Sequence, residues 1–371
     1  MKYRLFMISP GPKFSLNEEL YVRLYDDYEG MVITTSEDKA IVNRRELCGF
    51  SFRCGIFYEK YRLYSAISFI VFCLFVAIKE RLKGVKYDVV VTYDPIKTGI
   101  IGALVAPILG AKFAPEVNGV YTSEAEYIDG AYSLSVRIKK LIIPKIMHFV
   151  IKRSDGVKLL FDSQLSPFSA LLSEKKISRF ANYVRVDKFS NLGEKKEVLF
   201  VGFPFYRKGV DILIQSFKEI SPDFPEWSLK ILGWYPDMTE LSAAIDGHPK
   251  IIYHPPVLHS EMPTHVGLCG MLVLPSRSEA MGRILVESMA AGKPRIGSNV
   301  DGIPTVINDG VDGLLFESEN IQDLADKMRM LMESGDLRRK LGAASARRAK
   351  LEFSTETYFE NKLKFYRSLF E

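Results

Sequence analysis

The feature that most constrains the fold is an alternation of short apolar runs with longer segments of helical length, which occurs twice along the chain. Near-continuous apolar runs separated by helices predict strands of a parallel sheet that is covered on both faces. In the first half, the predicted strands are residues 3–8, 31–34, 88–92, 112–117 and 157–161. In the second half, they are residues 197–201, 229–232, 251–253, 271–274, 295–297 and 313–316.

Two such series predict an α/β protein with two doubly wound domains. The length agrees, because 371 residues exceed the size at which a single hydrophobic core usually stops growing. We expect residues 1–188 to form one Rossmann-like domain and residues 195–352 to form the other. The polar segment 185–196 would link them. The amphipathic C-terminal segment 355–371 could pack on either domain.

Several functional classes fit the sequence poorly. Apolar residues make up 47% and charged residues 26%, which is ordinary for a globular protein and argues against disorder. The four cysteines show no zinc spacing, and a reducing, cytoplasmic setting fits them. No Gly-x-Gly-x-x-Gly follows a predicted strand, which disfavours flavin and nicotinamide enzymes. The uncharged run 66–78 is too short to span a membrane, so we expect a buried helix packed on a sheet.

A turn between a predicted strand and a predicted helix carries the strongest functional signal. The strand is 271–274, and the helix begins near Arg283. Glycine at the turn, Gly282, leaves backbone N–H groups open to a ligand, and the helix dipole favours an anion such as a diphosphate. Glu279 and Glu287 flank this point, where sugar hydroxyls could donate hydrogen bonds to them. The alternative is that both are ordinary acids of a helix start and a solvated helix face.

A second strand, 197–201, leads to a similar turn. It ends at Gly202, and the adjacent cations Arg207 and Lys208 precede the next helix. Two cations at the carboxyl edge of a sheet suit a diphosphate. An Arg-Lys pair alone is more often an ordinary surface feature. Here, however, Arg207 and Lys208 lie at the same sheet edge as Glu279, which favours a role in binding the diphosphate.

These residues resemble glycosyltransferase family 4, whose members are retaining enzymes of the GT-B fold. The motifs S-R-S-E-A-M-G-R-I-L-V-E-S-M-A-A-G-K-P and G-I-P-x-V-I-N-D-G-V-D-G-L-L-F carry the resemblance, which covers the second half well and the first half in outline. It implies two facing Rossmann-like domains, with the acceptor bound by 1–188 and the nucleotide sugar by 195–352. It also implies that the C-terminal helix, 355–371, crosses back to the first domain.

The implied reaction moves a sugar from a nucleoside-diphosphate sugar, of UDP or GDP type, to a glycan, lipid-linked or other hydroxyl acceptor. The resemblance implies no metal and no further cofactor. Two alternatives remain on the same fold: a nucleotide-sugar epimerase and a non-catalytic binding subunit. Retention of Glu279, Glu287 and Lys208 disfavours the latter, because a scaffold has no chemical need for all three.

The resemblance also implies roles for particular residues. Glu279 would contact the donor sugar near the reaction centre, and Glu287 would bind the ribose hydroxyls. Lys208, together with Arg207, would neutralise the departing diphosphate. The sugar and diphosphate would be held by Gly202, Met281, Gly282, Arg283 and Ile284.

Three departures from the family pattern stand out. Phe203 occupies the position where the family usually has an arginine, and Arg207 could compensate. The first loop reads S-P-G-P-K instead of carrying paired glycines, and no histidine precedes His148. The last two departures concern the acceptor side. For that side we predict the residues Gly11, Lys13, Glu116 and Asn118.

Charge is distributed unevenly, which bears on partners. Residues 1–188 hold 28 Lys and Arg against 20 Asp and Glu, a net charge of +8, whereas residues 189–371 hold 22 against 25, a net charge of −3. The segment from Arg137 to Arg153 has six cationic residues and no acid. Such a segment suits the anionic inner face of a membrane. The alternative is a solvated face of a core-facing helix pair kinked at Pro144. We expect no nucleic-acid partner.

Overall fold

The structure is a computed structural model, and it describes residues 2–9, 18–36, 46–56, 59–130 and 133–371. The predicted acceptor residues Gly11 and Lys13 lie outside these ranges. The chain divides into two compact units. The first contains the residues up to Gly119, Lys139–Phe180 and Phe359–Glu371; the second contains Val120–Ile138 and Ala181–Tyr358. The division differs from the expected one chiefly in the segment Val120–Ile138, which belongs to the second unit.

The first unit is built on a six-stranded sheet in the order β3-β4-β2-β1-β5-β6. Its strands are β1 (Tyr3–Ile8), β2 (Tyr28–Ser36), β3 (Glu46–Leu47), β4 (Phe50–Ile56), β5 (Val89–Thr92) and β6 (Lys112–Pro115). Neighbouring strands are parallel, apart from the short antiparallel pair of β3 and β4. A separate parallel pair follows, formed by β7 (Gly156–Leu159) and β8 (Lys176–Arg179).

The central strands of this sheet are buried on both faces, as their apolar sequences predict. All four residues of β5 are buried, and so are the last four of β1. The helices of this part of the chain are α1 (Glu18–Leu24), α2 (Arg62–Leu82), α3 (Lys97–Leu109), α4 (Leu134–Arg153) and α5 (Ser169–Leu172). One core cluster joins a face of the sheet to α2, α3 and α4, through residues such as Phe6, Phe113, Phe69, Ile101 and Val150. These three helices therefore cover that face.

Helix α2 is buried on one face only. Its inner residues Phe69, Cys73 and Ala77 lie in the core, as expected of a helix packed on a sheet. The outer face carries large apolar side chains that are between 48% and 83% exposed, namely Leu63, Ile67, Val71, Phe75, Ile78 and Leu82. We call these six residues the α2 stripe. The expectation of a buried helix is therefore correct for the inner face and wrong for the outer face.

The second unit contains another six-stranded sheet, in the order β11-β10-β9-β12-β13-β14, with every neighbouring pair parallel. Its strands are β9 (Glu197–Val201), β10 (Ser228–Leu232), β11 (Ile251–His254), β12 (Met271–Leu274), β13 (Arg295–Ser298) and β14 (Leu314–Phe316). The remaining helices are α6 (Val210–Ile220), α7 (Thr239–Ile245), α8 (Met262–Leu268), α9 (Arg283–Ala290), α10 (Ile303–Val306), α11 (Ile321–Glu333), α12 (Gly335–Glu352) and α13 (Thr355–Ser368).

Strand order in the second sheet reverses between β9 and β12, which are neighbours although three helices separate them in sequence. Connections from the carboxyl ends of these two strands depart on opposite sides and leave a crevice between them. In open α/β sheets, ligands bind at such a switch point. Both turns singled out in the sequence, after 197–201 and after 271–274, lie there.

The C-terminal helix contributes to the first unit, as the resemblance implies. Residues Phe359–Glu371 belong to that unit. The Lys362 ammonium donates to the Glu116 carboxylate at 2.7 Å, and both side chains are buried. The ring of Tyr366 lies edge-on to the ring of Tyr28, with centroids 5.6 Å apart. The buried ion pair of Lys362 and Glu116 fixes the position of the C-terminal helix on the sheet.

Two local features differ from the sequence-based picture. Strand β4 is not among the predicted strands, although it pairs with β2 over seven residues. Pro144 lies inside one helix, α4, which runs from Leu134 to Arg153 without a break. The proposed alternative of two helices divided at Pro144 is therefore wrong.

Candidate functional site

The turn after β9 approaches the end of β12 because of a glycine. Gly209 begins α6 with a φ of 67°, in the left-handed region that favours glycine. A Cβ atom there would lie 1.9 Å from the carbonyl oxygen of Pro275, just beyond β12. No other residue fits such a close approach, so Gly209 brings the loop with Lys208 against the turn with Glu279.

A second glycine shapes the turn between β12 and α9. Gly282 has a φ of 74°, and a Cβ atom there would lie 2.8 Å from Cδ2 of Leu274. Helix α9 begins directly after it, at Arg283. The first N–H groups of a helix have no partner within the helix. The backbone of Arg283 and Ile284, beside the buried Met281, is therefore suited to an anionic ligand.

Lys208 and Glu279 meet at this point. The Lys208 ammonium donates to Oε2 of Glu279, and each side chain is about one-seventh exposed. The pair brings together one cation and one carboxylate that were predicted separately from the sequence.

Glu287 lies one turn into α9 and is buried, with 5% of its surface exposed. Burial raises the pKa of this carboxyl to about 7, and the Arg283 guanidinium, 3.9 Å away, opposes the shift. A buried carboxylate requires hydrogen-bond donors. The vicinal hydroxyls of a ribose would supply two. The solvated interpretation of Glu287 is therefore wrong.

Arg207 is held by an acidic segment. The backbone N–H groups of Tyr206 and Arg207 donate to the two carboxylate oxygens of Asp129, at 2.7 and 2.9 Å. The Arg207 guanidinium lies 3.4 Å from Glu126, and burial raises the pKa of Glu126. Both acids belong to the 3-10 helix Glu124–Gly130 within the second unit. Sequence reasoning did not identify them.

Two further residues fix the turn that carries Glu279. Arg277 donates from its guanidinium to both carboxylate oxygens of Asp211, at 2.8 Å each. Asp301 accepts from the Ser278 hydroxyl at 2.8 Å and from the Glu279 N–H at 3.1 Å. The polar run around Arg277 signals a turn in the sequence, whereas nothing local points to Asp301.

Phe203, which replaces the arginine of the family pattern, belongs to an aromatic cluster. Its ring lies edge-on to Trp234 and Tyr235, with centroids 5.4 and 5.7 Å away. Trp234 is 59% exposed. The preceding residue, Gly202, directly follows β9, and a Cβ atom there would lie 3.5 Å from Cγ of Lys208. A partly exposed group of aromatic side chains therefore borders the loop that carries Arg207 and Lys208.

On the acceptor side, Glu116 and Asn118 follow β6 in the first unit. Glu116 is buried against Lys362 and thus serves to hold the C-terminal helix. Asn118 donates to the carbonyl of Tyr93 at 2.8 Å and accepts from the Lys158 ammonium at 2.9 Å. Burial lowers the pKa of Lys158 to about 7. Direct acceptor contact remains a prediction for both residues, and the burial of Glu116 argues against it there.

Sequence comparison places a known domain over the second unit. Residues 185–348 match the model of the family described as glycosyl transferases group 1. An uncharacterized glycosyltransferase of Methanocaldococcus jannaschii is 33% identical over 165 residues, which cover 43% of this chain and 45% of that protein. Spore coat protein SA of Bacillus subtilis is 31% identical over 185 residues, covering 46% and 48%. The aligned part of the chain thus spans about half the length of these curated relatives.

Solved structures resemble the chain over its whole length. Sucrose-phosphate synthase from Thermosynechococcus elongatus superposes with a TM-score of 0.77 at 15% identity, covering 100% of this chain and 99% of that one. Anabaena HepE in complex with UDP-glucose superposes with a TM-score of 0.73 at 13% identity, covering 98% and 99%. At such identities the likeness shows the fold alone. The fold is GT-B, with a Rossmann-like domain in each unit, and residues 185–348 match the glycosyl transferases group 1 model.

Proposed function

We propose that this chain is a glycosyltransferase that takes a nucleoside-diphosphate sugar as donor and transfers the sugar to a hydroxyl acceptor. We further propose that the reaction needs no metal and retains the anomeric configuration. The observation that carries the proposal is the pairing of Lys208 with Glu279 beside the glycine-headed helix α9, at the switch point of the second sheet. Cation, carboxylate and helix N-terminus together suit a sugar diphosphate.

The proposed step breaks the bond between the anomeric carbon of the sugar and the diphosphate oxygen. Lys208, supported by Arg207, and the N–H groups at the start of α9 stabilise the charge that develops on the leaving diphosphate. The acceptor hydroxyl attacks the face from which the diphosphate leaves, and its proton passes to an oxygen of that leaving group. Retention follows from this geometry. Glu279 orients the sugar at the reaction centre.

Glu287 is proposed to bind the ribose. Its buried carboxyl would accept from both ribose hydroxyls, which would compensate for the loss of water around it. Because UDP-glucose occupies the similar Anabaena HepE, UDP-sugars are the first donors to test, and a GDP-sugar is the alternative. Gly202, Met281, Gly282, Arg283 and Ile284 are proposed to surround the sugar and diphosphate.

The first unit is proposed to bind the acceptor, a glycan or a lipid-linked molecule. Its net basic charge and the acid-free segment from Arg137 to Arg153 favour an anionic or membrane-attached acceptor. The exposed apolar residues Leu141 and Ile142 in α4 add to this. We place the protein in the cytoplasm, with a peripheral position on the inner face of the membrane as part of the proposal.

Transfer is expected to continue in the presence of EDTA, because Lys208 and the N-terminus of α9 take the role that a metal would have in stabilising the leaving group. The measurement follows release of UDP from UDP-sugars with a panel of glycan and lipid-linked acceptors, and NMR of the product gives its anomeric configuration. Loss of turnover with EDTA that magnesium or manganese restores would refute the metal-free mechanism. A product of inverted configuration would refute retention while leaving the donor site intact.

A further inference from the structure

The outer face of α2 has no part in the proposed reaction. The helix is apolar on both faces, and helices of that kind are ordinarily buried on both. The core covers the inner face through residues such as Phe69, Cys73 and Val76. The α2 stripe, by contrast, stays exposed over about 28 Å from Leu63 to Leu82, at 1.5 Å per residue. Large contiguous apolar patches on a protein surface mark interaction sites.

Cations predominate among the charges around the α2 stripe. No charged residue occurs from 63 to 78. Cations flank this stretch on both sides: Lys60 before it, and Lys79, Arg81, Lys83 and Lys86 after it. The one acid between 60 and 87, Glu80, is buried and accepts from the Lys83 ammonium at 2.8 Å. An apolar surface with cations at both ends is therefore presented to solvent.

We propose that the α2 stripe inserts into the surface of an anionic lipid bilayer, with α2 lying parallel to the membrane plane. An interfacial helix buries its apolar face about 5–10 Å into the boundary between headgroups and acyl chains, and its cations bind anionic headgroups. The inner face keeps its contacts with the sheet, so insertion requires no unfolding. This inference is independent of the donor chemistry.

Two other occupants fit the charges and contacts less well. A second copy of the chain, packed through the same stripe, would bring the cationic ends of two helices together in either orientation, which is repulsive. The helix extends beyond the uncharged run 66–78, so the expectation that it is too short to span a membrane is wrong: Leu63–Leu82 is long and apolar enough. Spanning would, however, remove Phe69, Cys73 and Val76 from the core. Both are outcomes of the test below.

The test is co-sedimentation of the full chain with phosphatidylcholine vesicles that either contain or lack phosphatidylglycerol. The wild type is expected to bind the anionic vesicles and to bind the neutral ones weakly. The double variant Val71→Glu, Phe75→Glu should bind at least about tenfold more weakly, because it places charge in the inserted face. Lys79→Gln with Arg81→Gln should lose about fivefold per cation on anionic vesicles only.

Matched controls are Leu258→Glu and Val311→Glu, since both residues are exposed apolar side chains of the second unit. These controls should bind as the wild type does. Circular dichroism and the melting temperature establish that each variant is folded, and Val71→Gln with Phe75→Gln replaces the double glutamate variant if that one fails. Binding that is unchanged in the folded stripe variants overturns the proposal. So does vesicle-independent dimerisation that the stripe variants abolish, or a wild type that only detergent extracts from vesicles.

Discussion

Glu279→Gln is expected to lower kcat about thirty- to a thousandfold, a loss of about 2–4 kcal/mol in transition-state stabilisation. Glutamine keeps the shape of the side chain and loses the charge that holds Lys208 and that we propose orients the sugar. Since Lys208 remains to bind the diphosphate, KM for the donor should change much less than kcat. Steady-state kinetics with the preferred donor and acceptor provide the measurement.

Glu333→Gln is the matched control, because Glu333 is an exposed residue at the end of α11 in the same unit. It should turn over like the wild type. Normal kcat in a folded Glu279→Gln variant would remove Glu279 from the reaction and would also weaken the assignment of Lys208, its partner.

Replacing Glu287 should change how stability depends on pH. Burial raises the pKa of this carboxyl in the folded state from an ordinary value of 4.5 to about 7. The folded protein therefore binds the Glu287 proton more tightly than the unfolded chain does. This stabilisation of the folded state is complete below about pH 4.5 and is lost as the pH rises through about 7, a total of about 3 kcal/mol. Glu287→Gln cannot ionise. The variant should gain stability relative to the wild type on going from about pH 5 to about pH 8.

Urea unfolding of both proteins at the two pH values measures this difference. A constant offset from placing a glutamine amide in a buried position cancels, because only the change with pH is compared. Glu333→Gln should track the wild type at both values. If the unfolding free energies of Glu287→Gln and the wild type changed equally with pH, Glu287 would not be a buried acid without hydrogen-bond donors in the protein without ligand. With UDP present, the wild type should gain more stability than the variant.

The two turns that follow β9 and β12 were predictable because their signals are local. A strand, a glycine and a helix start follow one another within a few residues at Gly282, and the same is true of the loop before α6. At Gly282 the sequence predicts a turn with an open backbone, and the left-handed φ of this glycine agrees with that prediction. The pairing of Lys208 with Glu279 could be expected only in outline, because it depends on two turns meeting at one sheet edge.

Residues that act from a distance were missed. Asp129 binds the backbone of Tyr206, 77 positions along the chain. Lys362 reaches Glu116 across 246 positions, so the burial of Glu116 could not be foreseen from its sequence position. Neither pairing leaves a mark on the local pattern of polar and apolar residues. Such contacts follow from tertiary packing alone.

The outer face of α2 shows another limit of sequence patterns. Periodicity identifies a helix with one apolar face, whereas α2 is apolar all round, and such a pattern does not tell how much of the helix is covered. Its burial depends on which elements lie beside it. Strand β4, by contrast, carries a local signal, because its sequence F-S-F-R-C-G-I alternates apolar with polar or small residues, the period-two pattern of a half-buried strand.

The central claim, a diphosphate site at the switch point of the second unit, is tested most directly by thermal-shift titration of the wild type and Lys208→Ala with UDP, GDP and ADP and with their nucleosides. A ligand that binds only the folded state raises the melting temperature by an amount that grows with the ratio of ligand concentration to Kd. We predict that one diphosphate stabilises the wild type, and that Lys208→Ala weakens its binding about tenfold to a hundredfold while nucleoside binding stays the same. Lys218→Ala, at the other end of α6, should match the wild type. Equal loss of nucleoside and diphosphate binding in Lys208→Ala, or no stabilisation of the wild type by any diphosphate, would contradict the account.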